Sequence, residues 1–155
     1  MTDPEREREI FRRRLLGQGL ACTPIPASGL GRDLEFVSGP QGVDFARVVG
    51  IDNLGQALRI ALTTLLGSDV FNTEFGFDGL NALATETDPI LLRERVRIAV
   101  VQVLRRDPRV RRVVDVKLGE SALQAGTPAS RELNVTVVFE TVTGDQSTVD
   151  LGGTR

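Results

Sequence analysis

Apolar residues recur at helical spacing in two long stretches and at strand spacing in the last third of the chain. In the first stretch Leu54, Leu58, Ala61, Leu62 and Leu65 fall at i, i+3, i+4 intervals, with Gln56, Arg59 and Thr63 on the other side. The pattern predicts a helix with an N-cap at Asp52 or Asn53 and a C-cap at Gly67. Fully burying its leucines would contribute very roughly 6–12 kcal/mol before chain entropy is set against it. The second stretch starts at Asp88-Pro89, an acidic N-cap followed by a first-turn proline. Leu92, Val96, Ala99 and Val103 form its main stripe, and Leu91, Ile98, Val101 and Leu104 widen it beyond what a one-sided surface helix needs. Such a helix is central in its fold or covered by a partner. It has to stop near Asp107, which precedes Pro108 and is steered out of the helical region.

Three strands are predicted after it. Residues 110–118 place Val114, Val116 and Leu118 on one face. Residues 132–143 alternate Leu133, Val135, Val137 and Phe139 against Asn134, Thr136 and Glu140. Residues 147–151 follow the turn at Gly144-Asp145, and residues 120–130 form a loop.

Ahead of these elements, residues 4–16 mix charges of both signs with a narrow apolar edge of Ile10, Phe11 and Leu15. They predict a short helix that needs support from other parts of the structure. Between residues 17 and 50 Gly and Pro are frequent, and only residues 33–37 and 43–49 look like strands. The expected organisation is an N-terminal arm over residues 1–50 and a core domain over residues 51–155. The expected fold class is α+β: two main helices packed on a small, mainly antiparallel three-stranded sheet.

Composition changes this picture mainly by exclusion. The 155 residues suit one domain with a real core, and 41% hydrophobic with 26% charged residues is ordinary for a globular chain. A net charge of −2 gives no bulk attraction to nucleic acid or anionic membrane. Histidine is absent, which removes the commonest general base and metal ligand. Cys22 is the only cysteine, so neither a disulfide within the chain nor a thiolate cluster can form. No cofactor or metal is expected. Neither a signal-like apolar segment nor an apolar run of about 18 residues is present, so a chain that stays in the cytoplasm after synthesis is expected.

Candidate chemistry is thin. Asp69, Glu74 and Asp78 could in principle act as a glycosidase carboxylate pair, which needs two groups about 5–10 Å apart. The chain has no Trp or Tyr to stack a sugar. Five arginines crowd residues 105–112, but no aromatics are interleaved for nucleic-acid stacking. Arg109 follows the conformationally restricted Asp107-Pro108, which presets its direction and suits insertion into a protein partner. The hairpin ending at Leu151 is the other candidate surface, because a short terminal strand tends to lie at a sheet edge.

One succession of motifs carries a resemblance. Leu58 to Leu66 lead into Gly67-Ser68-Asp69, then Phe71-Asn72-Thr73-Glu74-Phe75-Gly76, then a long helix ending Asp107-Pro108-Arg109-Val110, then valine-rich strands. Over roughly residues 51–151 this order resembles the small baseplate wedge, or sheath-initiator, family of contractile phage tails, extracellular contractile injection systems and type VI secretion systems. Gly67-Ser68-Asp69 departs from the family's Gly-Glu-Arg-like turn, and Asp107 stands where Glu is usual.

The resemblance implies a structural, non-enzymatic protein in six copies per particle, within a phage tail-like contractile assembly. It implies contact with baseplate wedge proteins at Asp107, Pro108 and Arg109, and with sheath subunits and tube or hub-spike proteins nearby. The motif loop of Gly67, Glu74, Phe75 and Gly76 would shape the fold. Sheath subunits would add strands beside the strands carrying Leu133, Val135, Val137, Phe139, Thr148, Val149 and Leu151. Neither nucleic acid nor membrane insertion enters this reading. On it, Arg109→Ala would weaken docking with little effect on thermal stability. A general adaptor domain, or a glycan hydrolase built on Glu74, are the other readings.

Overall fold

The computed structural model of the chain describes residues 3–25, 31–119 and 134–151. It has the expected α+β composition, and its residues cluster into two units, Met1–Ala57 and Leu58–Arg155. The division falls inside a helix rather than at residue 50.

The first unit opens with α1 (Asp3–Leu16), which ends where Gly17 adopts φ +76° and its N–H bonds Arg13 O at 3.0 Å. Leu16 is fully buried, while Ile10, Phe11 and Leu15 stay exposed. Three two-stranded antiparallel ribbons follow. They pair β1 (Gln18–Leu20) with β6 (Arg47–Val49), β2 (Cys22–Pro24) with β3 (Arg32–Leu34), and β4 (Phe36–Gly39) with β5 (Gly42–Phe45). The ribbons meet at a three-way junction. Ala21 N–H donates to Ala46 O (2.8 Å), Ala46 N–H to Glu35 O (2.8 Å), and Glu35 N–H to Ala21 O (2.9 Å).

That ring of bonds divides the expected strands 33–37 and 43–49 at Glu35 and Ala46. Each junction residue satisfies its backbone N–H with another junction residue instead of with the strand it leaves. Beyond the junction, Phe36 stacks on Phe45 with ring centroids 4.9 Å apart.

Helix α2 (Gly50–Thr63) starts before Asn53 and stops before Gly67. Asn53 is therefore not an N-cap. It is a buried interior residue whose Nδ2 donates to Leu16 O at 2.9 Å and satisfies an orphan carbonyl at the end of α1. Gln56, expected on the solvent side, binds the β1–β2 passage by donating to Leu20 O (2.7 Å) and accepting from Cys22 N–H (2.8 Å). At the other end Thr63 and Thr64 hydroxyls bond back onto Arg59 and Ile60 carbonyls, and Thr64 O accepts from Phe77 N–H in place of a further helical donor. Leu65 consequently leaves the apolar stripe and is 41% exposed. Gly67 sits with φ +79° in the turn beyond the helix, and is not its C-cap.

In the second unit the chain passes through residues 64–78 into α3 (Gly79–Thr85), a seven-residue helix that the sequence pattern did not predict. It packs against α4 (Pro89–Arg106). Asp88 caps α4 as expected, its Oδ1 accepting from Ile90 N–H at 2.8 Å. Leu92, Val96, Ala99, Val100, Val103 and Leu104 are buried, whereas Ile90, Leu91 and Ile98 are more than half exposed.

The sheet order is β7 (Val110–Leu118), β8 (Val135–Thr141), β9 (Gln146–Leu151), with antiparallel neighbours. In β8, Val135, Val137, Phe139 and Thr141 are all fully buried, so the predicted alternation holds there. In β7 it does not. Register shifts at Arg111 and Val114 insert extra residues, so Val113 turns inward and Val114 is 48% exposed. Val114 is thus removed from the face it was expected to share with Val116. The predicted loop 120–130, and the first residues of the predicted strand 132–143 including Leu133, lie outside the described residues.

Candidate interaction surfaces

The corner between α4 and β7 is built from local valence. Asp107, with φ −83° and ψ 116°, ends the helix, and its N–H closes on Leu104 O. Its carboxylate then receives three donors from Arg109: the backbone N–H at 3.0 Å, Nε at 2.9 Å and Nη2 at 2.7 Å. Both side chains are largely covered, 16% and 25% exposed for Asp107 and Arg109, and Pro108 between them is exposed. Arg109 O also accepts from Val142 N–H at 3.0 Å, tying the corner to the β8–β9 end of the sheet.

Burial works against the Asp107 charge, but the hydrogen bonds and the positive charge of Arg109 outweigh it and hold the carboxyl below its usual range. The same pair raises Arg109 above its ordinary value. Arg109 therefore braces the corner as well as decorating it. The expectation that Arg109→Ala leaves stability unchanged becomes an expected loss of about 1–2 kcal/mol.

Because Asp107 titrates lower when folded, its contribution is present at neutral pH and is lost as pH falls below about 4. Asp107→Asn should accordingly cost about 1–2 kcal/mol near pH 7 and progressively less toward about pH 2, measured by urea denaturation. A cost that does not change with pH would mean the carboxylate charge is not what Arg109 recognises.

The second surface is the β9 edge. β8 lies between β7 and β9, so Val135, Val137 and Phe139 sit on a strand whose backbone is already paired on both sides. An incoming strand has to use β7 or β9. β7 is broken by two register shifts and carries Arg111, Arg112 and Lys117, the features that blunt an edge. β9 is regular throughout its pairing with β8.

Thr141 N–H donates to Asp145 O at 2.8 Å, and alternation along the ladder then points the N–H and C=O groups of Gln146, Thr148 and Asp150 away from β8. Asp150 O accepts from Arg59 Nε at 3.4 Å, which covers one end of that edge. Gln146 and Thr148 remain as the outward backbone groups without a partner among the described residues. Val149 and Leu151, expected as docking residues, are fully buried and instead hold β9 on the core; Thr148 is exposed.

The motif loop has an internal role that can be seen residue by residue. Thr64 O accepts from Phe77 N–H at 2.8 Å, and Leu65 bridges Phe77 in parallel. Gly76 is buried with φ +115°, and Gly67 N–H reaches Phe75 O at 3.4 Å. Glu74 offers its backbone carbonyl to Arg106 Nη1 at 2.7 Å, so the loop is tied to the end of α4. The carboxylates considered for glycan hydrolysis are exposed. Asp69 Oδ1 accepts from Phe71 N–H (2.9 Å) and Asp78 Oδ1 from Asn81 Nδ2 (3.0 Å). Both are used in turn and helix-start geometry.

The arginine cluster is mostly committed within the fold: Arg106 to Glu74 O, Arg109 to Asp107, and Arg111 and Arg112 to Glu140 at 3.3 and 2.6 Å. Arg105 has no hydrogen-bond or ion-pair partner among the described residues. It lines an open groove of about 450 Å³ between α4 and β7, a feature that sequence reasoning missed because it depends on how two separate elements come together. Among the described residues no helix is long and apolar enough to cross a membrane. No protein-family model matches the chain, and neither does any curated protein.

Proposed function

We propose that the chain is a structural subunit of a contractile injection machine's baseplate, linking the wedge scaffold to the first sheath ring and templating the sheath by strand addition. The order of motifs from Leu58 to Val110 is the source of the reading. The single structural observation that supports it is the regular, outward-facing edge of β9, held on the core by Val149 and Leu151 and, among the described residues, open at Gln146 and Thr148. Backbone pairing along such an edge supplies affinity, and alternating side chains supply register.

In this reading only β9 receives the sheath strand; β8 is its support. Wedge proteins dock at the Asp107-Pro108-Arg109 corner, where the ion pair fixes the shape offered by Pro108. No catalysis, cofactor, nucleic acid or membrane insertion is part of the proposal.

Thr148→Pro tests it. Proline is tolerated at an edge position whose N–H faces outward, so the variant should lose no more than about 1 kcal/mol of stability. An arriving strand would lose its central donor. Particles carrying the variant should show baseplates without sheaths in electron micrographs, and normal sheaths on a stably folded variant would end the proposal.

A further inference from the structure

The loop over residues 69–75 and the groove between α4 and β7 have complementary chemistry. At the loop's tip Val70 is 80% exposed and Phe71 98% exposed, adjacent apolar side chains with no cover from their own chain. The tip is held in shape: Phe71 N–H bonds Asp69 Oδ1, Asn72 N–H bonds Asp69 O at 3.2 Å, and Phe75 N–H bonds Asn72 O at 3.0 Å. Asp69 and Glu74 flank it with negative charge. The groove is the opposite. Val101, Val113 and Val114 give it apolar patches, Arg97 and Arg105 stand at its α4 side, and Arg111, Arg112 and Asp115 make its β7 side largely polar and, in sum, basic. Arg97 pairs with Glu94 at 3.5 Å, so Arg105 is the cation left for an incoming acid.

We propose that Val70-Phe71 of one copy of this chain inserts into the α4–β7 groove of a second copy, with Asp69 or Glu74 meeting Arg105. The charge complementarity favours a second copy over a lipid surface, because the acidic flanks would be repelled by anionic headgroups. A groove of about 450 Å³ has room to receive two apolar side chains. A rigid exposed aromatic buried in a lined slot is the usual energetic centre of a small interface. Knob and groove are different patches, so the contact is heterologous and continues from copy to copy instead of stopping at a two-fold dimer. Its small area makes it weak.

The test is sedimentation equilibrium of the purified full chain from about 10 µM to about 1 mM, at low and high salt. The weight-average mass should rise with concentration, less so at high salt. Phe71→Ser and Arg105→Glu, both at exposed positions, should each weaken association at least about tenfold. An equimolar mixture of the two should recover dimers and nothing larger, because the first keeps its groove and the second its knob. A monomer throughout the range, variants that associate like the parent chain, or a mixture that stays monomeric would each overturn the inference. None of these outcomes depends on the presence of a sheath.

Discussion

Phe139→Ala is expected to cost about 3–5 kcal/mol of stability, the largest loss from any single truncation in the sheet. Phe139 is fully buried at the centre of β8, opposite Val113 on β7 and Ser147 on β9. Removing its ring would leave a cavity that two paired ladders hold open, because neither neighbouring strand can move in without giving up backbone bonds. The informative comparison is Val114→Ala. The alternating pattern would put Val114 beneath the sheet with Val116, and its truncation would then cost a core-like amount. The register shift instead leaves it 48% exposed, so the expected cost is below about 1 kcal/mol. Chemical denaturation of both variants decides the matter. Similar losses for the two would mean that β7 follows simple alternation after all.

Gly76→Ala should cost about 2–4 kcal/mol, through the backbone rather than through lost contacts. Gly76 has φ +115°, and a Cβ there would stand 2.8 Å from Leu65 C, Leu65 O and Leu66 N. These are main-chain atoms, with Leu66 N–H donating to Phe77 O and Leu65 O accepting from Ser68 N–H, so no flexible side chain can yield. Any retreat would break the Leu65–Phe77 bridge and pull the fully buried Phe77 from the core. Gly67→Ala is the matched control: φ is +79°, but the nearest atom to its Cβ is Thr73 O at 3.8 Å. Strain alone should make that change cost about 1–2 kcal/mol. If the two glycine variants melt together, the close approach at Gly76 is not what the fold depends on. The expected outcome gives Phe75-Gly76 its meaning as the point where the chain crosses the end of α2.

Local chemistry was legible wherever a single element could satisfy it. Asp88-Pro89 announced α4, Asp107-Pro108 ended it, and the alternation through Val135, Val137 and Phe139 announced the strand that became β8. Helix α3 was not legible, because its seven residues are too short for a periodic signal; its packing on α4 stabilises it. Asn53 and Gln56 were misassigned for a related reason. Their partners, Leu16 O and Leu20 O, lie 37 and 36 residues away, and no local pattern encodes such a bond.

The candidate surfaces divide in the same way. The restricted Asp107-Pro108 step and the terminal position of β9 are properties of the sequence. That β8 is enclosed while Thr148 faces outward depends on strand order and on the phase of the hydrogen-bond ladder. That Arg109 closes on Asp107, while Arg105 is left above the groove, depends on where the helix end delivers each side chain.

By itself, the sequence determined an α+β chain with α4 capped at both ends, an alternating strand through Val135, Val137 and Phe139, and no histidine with which to build common acid–base or metal chemistry. Only the tertiary structure decided which edge is open, which arginine is spent inside the fold, and which glycine has no room for a Cβ. Periodicity and capping arise from forces that act within about one turn of chain. Edges, grooves and close approaches arise where segments distant in sequence compete for the same backbone groups and the same space.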